Sequence, residues 1–354
     1  MKIDFIIPSL NSGGAERVLV LLANHFINYY DVTVITFISG EAYILNEEIK
    51  RVQFHDNEKN KKINHTVRKL RSLYFYYSES SNKPNVIISF LKNTNLVSII
   101  TAKLRGLKII VCEHINHSRG VSKQSNFLRK YMYRYANKLT VLTEYDIAFY
   151  KKYKVNVTVM PNPCTFNAYR ANNRRQKVIL AIGDLDRTYH KGFDNLIEIV
   201  EPVLKKYKDW TLKILGGGNS NKLERIIAKK QLQNKIELVG YTNKVQNFMQ
   251  ESEVFILSSR YEGLPMVLLE AMSQGMACTA YDCITGPSDI ITDGYDGILI
   301  ENQNQKAMRD SLIQLIENPD KRLVLRENSV KIVDKFSIEE IGQKWEKLFK
   351  ELKL

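Results

Sequence analysis

No apolar run in this 354-residue chain exceeds about seven residues, far short of the roughly 20 that a membrane-crossing helix requires. The opening stretch Met1-Lys2-Ile3-Asp4-Phe5-Ile6-Ile7-Pro8 is interrupted by an acid and a proline. It is expected to form a buried strand, not a secretory leader. Cysteine is scarce: Cys112, Cys164, Cys278 and Cys283 have neither metal nor redox spacing, so reduced thiols in the cytosol are expected. A complete G-x-G-x-x-G is missing, and no acidic residue closes the second predicted strand at Thr36-Phe37. Both absences argue against a dehydrogenase. No internal repeat or low-complexity tract stands out.

What is present is ordinary globular composition with an uneven charge. Hydrophobic residues make up 44% and charged residues 25%. The length predicts about two domains. The net charge of +14 falls almost wholly on the first half: residues 1–163 hold 24 Lys and Arg against 12 Asp and Glu, residues 164–354 hold 28 against 26. Within 59–154 there are 20 basic and 4 acidic residues. Such asymmetry points to a polyanionic partner for the first half.

Apolar strand-like runs at 3–7, 32–38, 86–91, 109–112, 139–143 and 157–160 alternate with helical stretches near 15–28, 66–79, 93–105, 125–136 and 145–153. The second half repeats the rhythm with strands near 178–183, 211–215, 236–239, 254–258, 277–281 and 298–300. This alternation implies an α/β fold of two Rossmann-like domains, each a parallel sheet wound on both faces, with ligands at the strand ends facing a cleft. Pro161-Asn162-Pro163 punctuates the halves. The expected domains are 1–163, 164–335 and a terminal helix over 336–354. That helix carries Trp345, Leu348 and Phe349 on one face and is expected to pack back on the first domain.

The most informative motif is Arg260-Tyr261-Glu262-Gly263-Leu264-Pro265-Met266-Val267-Leu268-Leu269-Glu270-Ala271. Pro265 suits the first position of a helix and Gly275 the residue past its end, which predicts a helix over 265–274. Glu262 then lies in the feeding loop and Glu270 about two turns in, roughly 9–10 Å along the axis. The free amides of the first turn suit an anion. A nucleotide-sugar grip fits this spacing; an ordinary capped helix with two solvated acids is the alternative. Carboxylates of a double-displacement glycosidase would stand about 5 Å apart.

The motif E-G-L-P-x-x-x-x-E, with Ala271-Met272, Gly275 and Gly286-Pro287-Ser288-Asp289, resembles the E-x7-E region of retaining glycosyltransferases of family four, which have the GT-B fold. Asn11-Ser12-Gly13-Gly14-Ala15-Glu16-Arg17 resembles the family's glycine loop, Glu113-His114 its acceptor-side histidine, and Met160-Pro161-Asn162-Pro163 its interdomain segment. Within the family, Ile88-Ser89-Phe90-Leu91, Glu113-His114 and Asn162-Pro163-Cys164 are similar to bacterial enzymes that extend a polyprenyl-diphosphate-linked oligosaccharide. The resemblance implies catalytic roles for Glu262 and His114. It implies donor binding by Gly14, Lys191, Gly216, Tyr241, Gly263, Leu264, Pro265, Met266 and Glu270, the last on the ribose hydroxyls. Lys191 would clamp the donor diphosphate. The family's accompanying arginine is missing, because Asp184 stands there; Arg187 is the candidate replacement.

Gly13 and the cationic stretch with Arg68, Lys69 and Arg71 would bind the acceptor. The cations and aromatics around Lys61-Lys62 and 66–77, and again over 127–135, suit an anionic membrane surface. Leu70, Leu73 and Tyr77 recur at helical spacing and fit core equally well. A plain strand–helix turn at Gly13-Gly14 and a flexible turn at Gly216-Gly217-Gly218 remain open readings. So does a buried structural His114. A metal site of Glu113, His114 and His117 lacks a further ligand cluster, and no cofactor is expected. No helix-turn-helix, RRM or zinc module organises the cations, so no nucleic-acid partner is expected.

The expectation is a metal-independent retaining transferase at the cytoplasmic face of the inner membrane, peripheral. It would move a hexose or N-acetylhexosamine, GalNAc or Gal favoured, from a UDP-sugar to a polyprenyl-diphosphate-linked saccharide. A lipopolysaccharide-core transferase, a non-catalytic sugar-nucleotide sensor and a nucleic-acid-binding protein are the alternatives.

Overall fold

The computed structural model describes residues 1–54, 64–119, 122–171 and 173–354. These form two compact units, Met1–Pro163 with Ile338–Leu354, and Cys164–Ser337. Lys61 and Lys62 lie outside the described residues.

The first unit holds β1 (Lys2–Ile6), β2 (Asp31–Thr36), β3 (Lys50–Gln53), β4 (Val86–Phe90), β5 (Ile109–Glu113), β6 (Lys138–Val141) and β7 (Val157–Val159), in sheet order β3-β2-β1-β4-β5-β6-β7. The second holds β8 (Gln176–Ile182), β9 (Thr211–Leu215), β10 (Ile236–Gly240), β11 (Ser252–Leu257), β12 (Ala277–Asp282) and β13 (Ile298–Glu301), in order β10-β9-β8-β11-β12-β13. All these pairings are parallel. Both sheets grow to one side from their first strand and then restart on its other side with the fourth. The reversal leaves a crevice outside the C-terminal ends of β1 and β4, and of β8 and β11.

Strands covered on both faces must be apolar almost throughout. Val86–Phe90 and Ile109–Glu113 are accordingly buried at every position. The exception is β3, whose polar Lys50-Arg51-Val52-Gln53 gave no sequence signal. It is an edge strand with two exposed residues, and its backbone pairing to β2 defines it. The helix expected over 125–136 is broken into an α-helical turn Lys123–Phe127, a π-helical turn Leu128–Met132 and a 3-10 turn Tyr133–Tyr135. Such π-turns change which residues face inward. Here Arg129 and Tyr133 are fully buried and belong to the core, while Phe127, Tyr131 and Tyr135 of the same stretch stay exposed.

The closing helix Ile338–Glu351 buries Ile341, Gly342, Trp345, Leu348 and Phe349. It packs on helix Gly14–Phe26, with Phe349 and Phe26 rings 5.5 Å apart. Gly342 makes room for His25, since a Cβ there would meet its Nε2 at 2.3 Å.

Beneath helix His65–Tyr76, the Tyr77 hydroxyl donates to Asp4 Oδ2 at 2.8 Å. Burial pushes the Asp4 carboxyl up to about 7, against the lowering pull of that hydrogen bond and of Lys2. Between the ordinary carboxyl range and pH 7, the folded chain keeps a proton that the unfolded chain has lost. Stability therefore falls as pH rises through this window, by up to about 4 kcal/mol, and stays reduced above it. Asp4→Asn should raise the melting temperature at pH 8 and change it little at pH 4. Equal shifts at the two pH values would show that Asp4 titrates normally in the fold.

Candidate active site

In the second unit the loops after β8 and β11 flank the crevice. Gly192 (φ +67°) is where they meet: a Cβ there would lie 2.0 Å from the Ser258 carbonyl oxygen. Only glycine allows that approach. Ser258 Oγ then donates to the Lys191 carbonyl at 2.9 Å. Arg260 donates to both oxygens of Asp194, at 2.7 and 3.2 Å, and lies over the Tyr189 ring. These ties set Lys191 Nζ 2.8 Å from Glu262 Oε1, with the two side chains 14% and 10% exposed. Burial pushes the Glu262 carboxyl up, but Lys191 and the hydrogen bonds from Lys191 and Ser259 outweigh it and hold it below its ordinary value. Glu262 is thus ionised at neutral pH. Ser258, Arg260 and Asp194 were missed at the sequence level. Their nearness to Lys191 and Glu262 in sequence was the available signal.

The helix spans Met266–Ser273 with Pro265 at its N-cap, one residue later than expected. The change is small: Pro265 has φ −71° but ψ 97°, so it enters the helix without belonging to it. Leu264 and Pro265 are buried, while Gly263 and Met266 are partly exposed. The Glu262 carbonyl accepts from Thr285 Oγ1 at 2.6 Å. Glu270 is 1% exposed and accepts from Thr165 Oγ1 at 2.7 Å. The picture of two solvated acids on an ordinary helix is therefore wrong for both residues.

Gly216 (φ +155°) sits against the loop after β8, where a Cβ would come within 1.8 Å of the Gly183 carbonyl oxygen. Its lack of a side chain is thus required by the fold itself, and the stretch is no mere flexible turn. Tyr241 lies beside the neighbouring Gly217 and is 78% exposed. The Asp184 side chain accepts from the Asp186 amide at 3.0 Å and caps the turn Leu185–Arg187. Arg187 is exposed, with Nη2 3.0 Å from His190 Nε2.

In the first unit, Gly13 precedes helix Gly14–Phe26. Its amide donates to the Tyr43 hydroxyl at 3.0 Å, and that hydroxyl donates back to the Gly13 carbonyl. His114 follows β5. It stacks on Phe90 with ring centroids 5.2 Å apart, and both its nitrogens are buried without a hydrogen-bond partner. Burial alone pulls it down to about 4, so it is neutral at pH 7. His117 holds Asp146 at 2.7 Å and stacks on Phe149. Among the described residues no group of three or more His, Cys, Asp or Glu is placed to hold a metal ion.

The expected cationic trio does not act as one surface. Lys69 is buried with Nζ 4.9 Å over the Phe37 ring, Arg71 is exposed over Phe75, and Arg68 is half-buried. Leu73 and Tyr77 are core residues. Helical periodicity placed these side chains on the inner face, and burial of apolar surface decides in its favour.

Arg129 organises the segment after His114. Its Nη1 donates to the carbonyls of His117 and Arg119, each at 2.8 Å, and its Nε lies 3.4 Å from Glu113 Oε2. Tyr133 donates to the same carboxylate at 3.0 Å. Burial pushes Glu113 up against the opposing pull of Arg129 and Lys92.

With this geometry in place, comparison with known proteins is unambiguous. The family called Glycosyltransferase Family 4 matches residues 12–165 and that called Glycosyl transferases group 1 matches residues 166–332. An undecaprenol-diphosphate-oligosaccharide alpha-1,4-N-acetyl-D-galactosaminyltransferase of Campylobacter jejuni is 31% identical over 100% of this chain and 99% of its own. The amylovoran biosynthesis glycosyltransferase AmsD of Erwinia amylovora is 32% identical over 88% of this chain and 89% of its own. Among solved structures, Anabaena HepE in complex with UDP superposes with a TM-score of 0.83 at 16% identity, covering 99% of this chain and 100% of that one. The chain belongs to the family-four glycosyltransferases and has their GT-B fold.

Replacing Arg129 by Met leaves a buried carboxylate without its counter-charge, a loss of about 3–5 kcal/mol. Denaturant unfolding should show that loss in Arg129→Met and a smaller one in the Glu113→Gln/Arg129→Met double variant. Simple addition of two losses would mean that the residues are not coupled.

Proposed function

We propose that this glycosyltransferase is retaining and metal-independent, and that it moves an N-acetylhexosamine or hexose, with GalNAc or Gal favoured, from a UDP-sugar to a polyprenyl-diphosphate-linked saccharide. The observation that carries the reading is the buried, ionised Glu262 joined to Lys191 at the strand-order reversal of the second unit. The donor would lie along this crevice, with its diphosphate on Lys191 and on the amides at the start of the Met266–Ser273 helix. Glu270 would take the ribose hydroxyls, and the exposed Tyr241 ring would stack on the base. Gly14, Gly216 and the backbone of 263–266 complete the proposed donor set. Arg187 is the proposed second cation.

As the glycosidic bond to the diphosphate breaks, positive charge grows on the sugar, and the Glu262 carboxylate stabilises it. The departing diphosphate oxygen takes the proton of the acceptor hydroxyl, which attacks from the same face and retains configuration. Neutral His114 and Gly13 are proposed on the acceptor side. Arg68 and Arg71 are proposed for the acceptor's diphosphate, with Lys69 acting from its place under the helix. The undecaprenol-diphosphate-linked saccharide named for the Campylobacter relative and the amylovoran biosynthesis named for the Erwinia one support a lipid-linked or polysaccharide acceptor. No described helix is long and apolar enough to cross a membrane. The proposed site of action is the cytoplasmic face of the inner membrane. Exposed Phe75, Phe127 and Tyr131 among the cations of the first unit favour contact with an anionic leaflet.

The test is a panel of labelled UDP-sugars against undecaprenyl-diphosphate–GalNAc and core-lipid acceptors, with NMR of the product's anomeric configuration. An α-linked product on the polyprenyl acceptor is expected; transfer to core lipid alone would transfer the assignment to the rival. Glu262→Gln should lower kcat by about 100–1,000-fold while UDP still binds. Undiminished turnover would remove Glu262 from the mechanism.

A further inference from the structure

A second cavity, of about 290 Å³, lies in the Cys164–Ser337 unit. It is bounded by Tyr169, Arg170, Ala171 and Arg175, by Gly275 past the end of the Met266–Ser273 helix, and by helix Pro319–Ser329. Its lining brings together Arg170, Arg175 and Arg326 with one carboxylate, Glu327. Arg175 is 7% exposed. Its Nη1 donates to the carbonyls of Met249 (2.7 Å) and Ser252 (3.0 Å), its Nη2 to that of Gln274 (2.6 Å), and its Nε is buried with no partner. Carbonyls orient a guanidinium but leave its charge in place. Burial and the adjacent Arg326 accordingly pull it down to about 10. Arg326 donates to the Gly275 carbonyl at 3.1 Å and shares Glu253 with Arg322, at 3.6 and 3.4 Å. Arg170 is exposed and makes no hydrogen bond or ion pair among the described residues. The lining thus holds three guanidiniums and one carboxylate, an excess of two positive charges. Gly275 keeps the cavity open, because a Cβ there would come within 3.3–3.4 Å of Val330 Cγ1, Arg175 Nη2 and the Tyr169 carbonyl.

We propose that this cavity binds a small multivalent oxyanion, inorganic phosphate or a phosphate monoester, with Arg170, Arg175 and Arg326 as its cationic partners. Planar guanidinium groups match the oxygens of a phosphate in geometry as well as charge. The volume is at the lower end for small-molecule pockets and leaves space for an ester substituent against Val330 and Leu323. The site is separate from the Lys191–Glu262 pair, and the inference does not rest on the transfer reaction.

Calorimetric titration at fixed ionic strength tests it, with inorganic phosphate and glucose 1-phosphate as separate probes and chloride as control. Saturable binding of at least one phosphate probe is expected in the wild type. Arg170→Glu should weaken it by about tenfold or more, Arg170→Lys should largely retain it, and Lys191→Gln should leave it unchanged. Tighter binding of the ester than of free phosphate identifies the monoester as occupant; the reverse identifies the free ion. Absence of saturable binding, indifference to Arg170→Glu, or loss in Lys191→Gln would overturn the proposal. Arg170 is exposed and unpaired, so its variants should melt with the wild type, and any difference in binding reports the site.

Discussion

The ion pair between Lys191 and Glu262 depends on a single backbone constraint, the approach of the loop after β8 to the loop after β11. Parallel strand order places those two loops on either side of a reversal. Gly192 then permits contact with Ser258 that no side chain would tolerate. Arg260 and Asp194 fix the same loops by a bidentate bridge. A carboxylate this little exposed would carry a large desolvation cost without its partner. Beside Lys191, Glu262 is held below its ordinary value. The sheet supplies the position and the glycine the contact that bring the pair together.

The first unit uses burial differently. Arg129 sits at zero exposure, turned inward by a π-helical turn, and grips carbonyls on the segment that follows His114. Lys69 likewise lies under its own helix against Phe37. The large positive excess of this half is therefore not one electrostatic surface. Some of its cations are internal fasteners, and the charge available to a partner is smaller than composition implies.

The alternation of apolar and helical segments located twelve of the thirteen strands because buried parallel strands must be apolar along their whole length. It could not reveal β3, a polar edge strand with only Val52 packed on the core. The E-x7-E motif and Lys191 were legible because glycine, proline and charge occur at fixed offsets. Their mutual contact was not, since 71 residues separate Lys191 from Glu262. The same limit hid Thr165 beside Glu270 and Asp146 beside His117, pairs 105 and 29 residues apart in sequence. Asp184 shows the converse. A departure from a family pattern reads as a defect in sequence, yet in the fold the same carboxylate caps a turn.

The pairing of Lys191 with Glu262 bears on how the proposed donor would be received. A diphosphate approaching Lys191 competes with Glu262 for one ammonium group, and it carries more charge than a carboxylate does. Drawing the lysine toward the diphosphate loosens its hold on Glu262. The carboxylate is then a stronger partner for positive charge than it is when paired with the lysine. Because Glu262 is ionised already, this exchange requires no proton transfer to or from it. Binding of one substrate group would thus raise the electrostatic capacity of another at the moment it is needed, with the preorganised loops, rather than a large rearrangement, carrying the coupling.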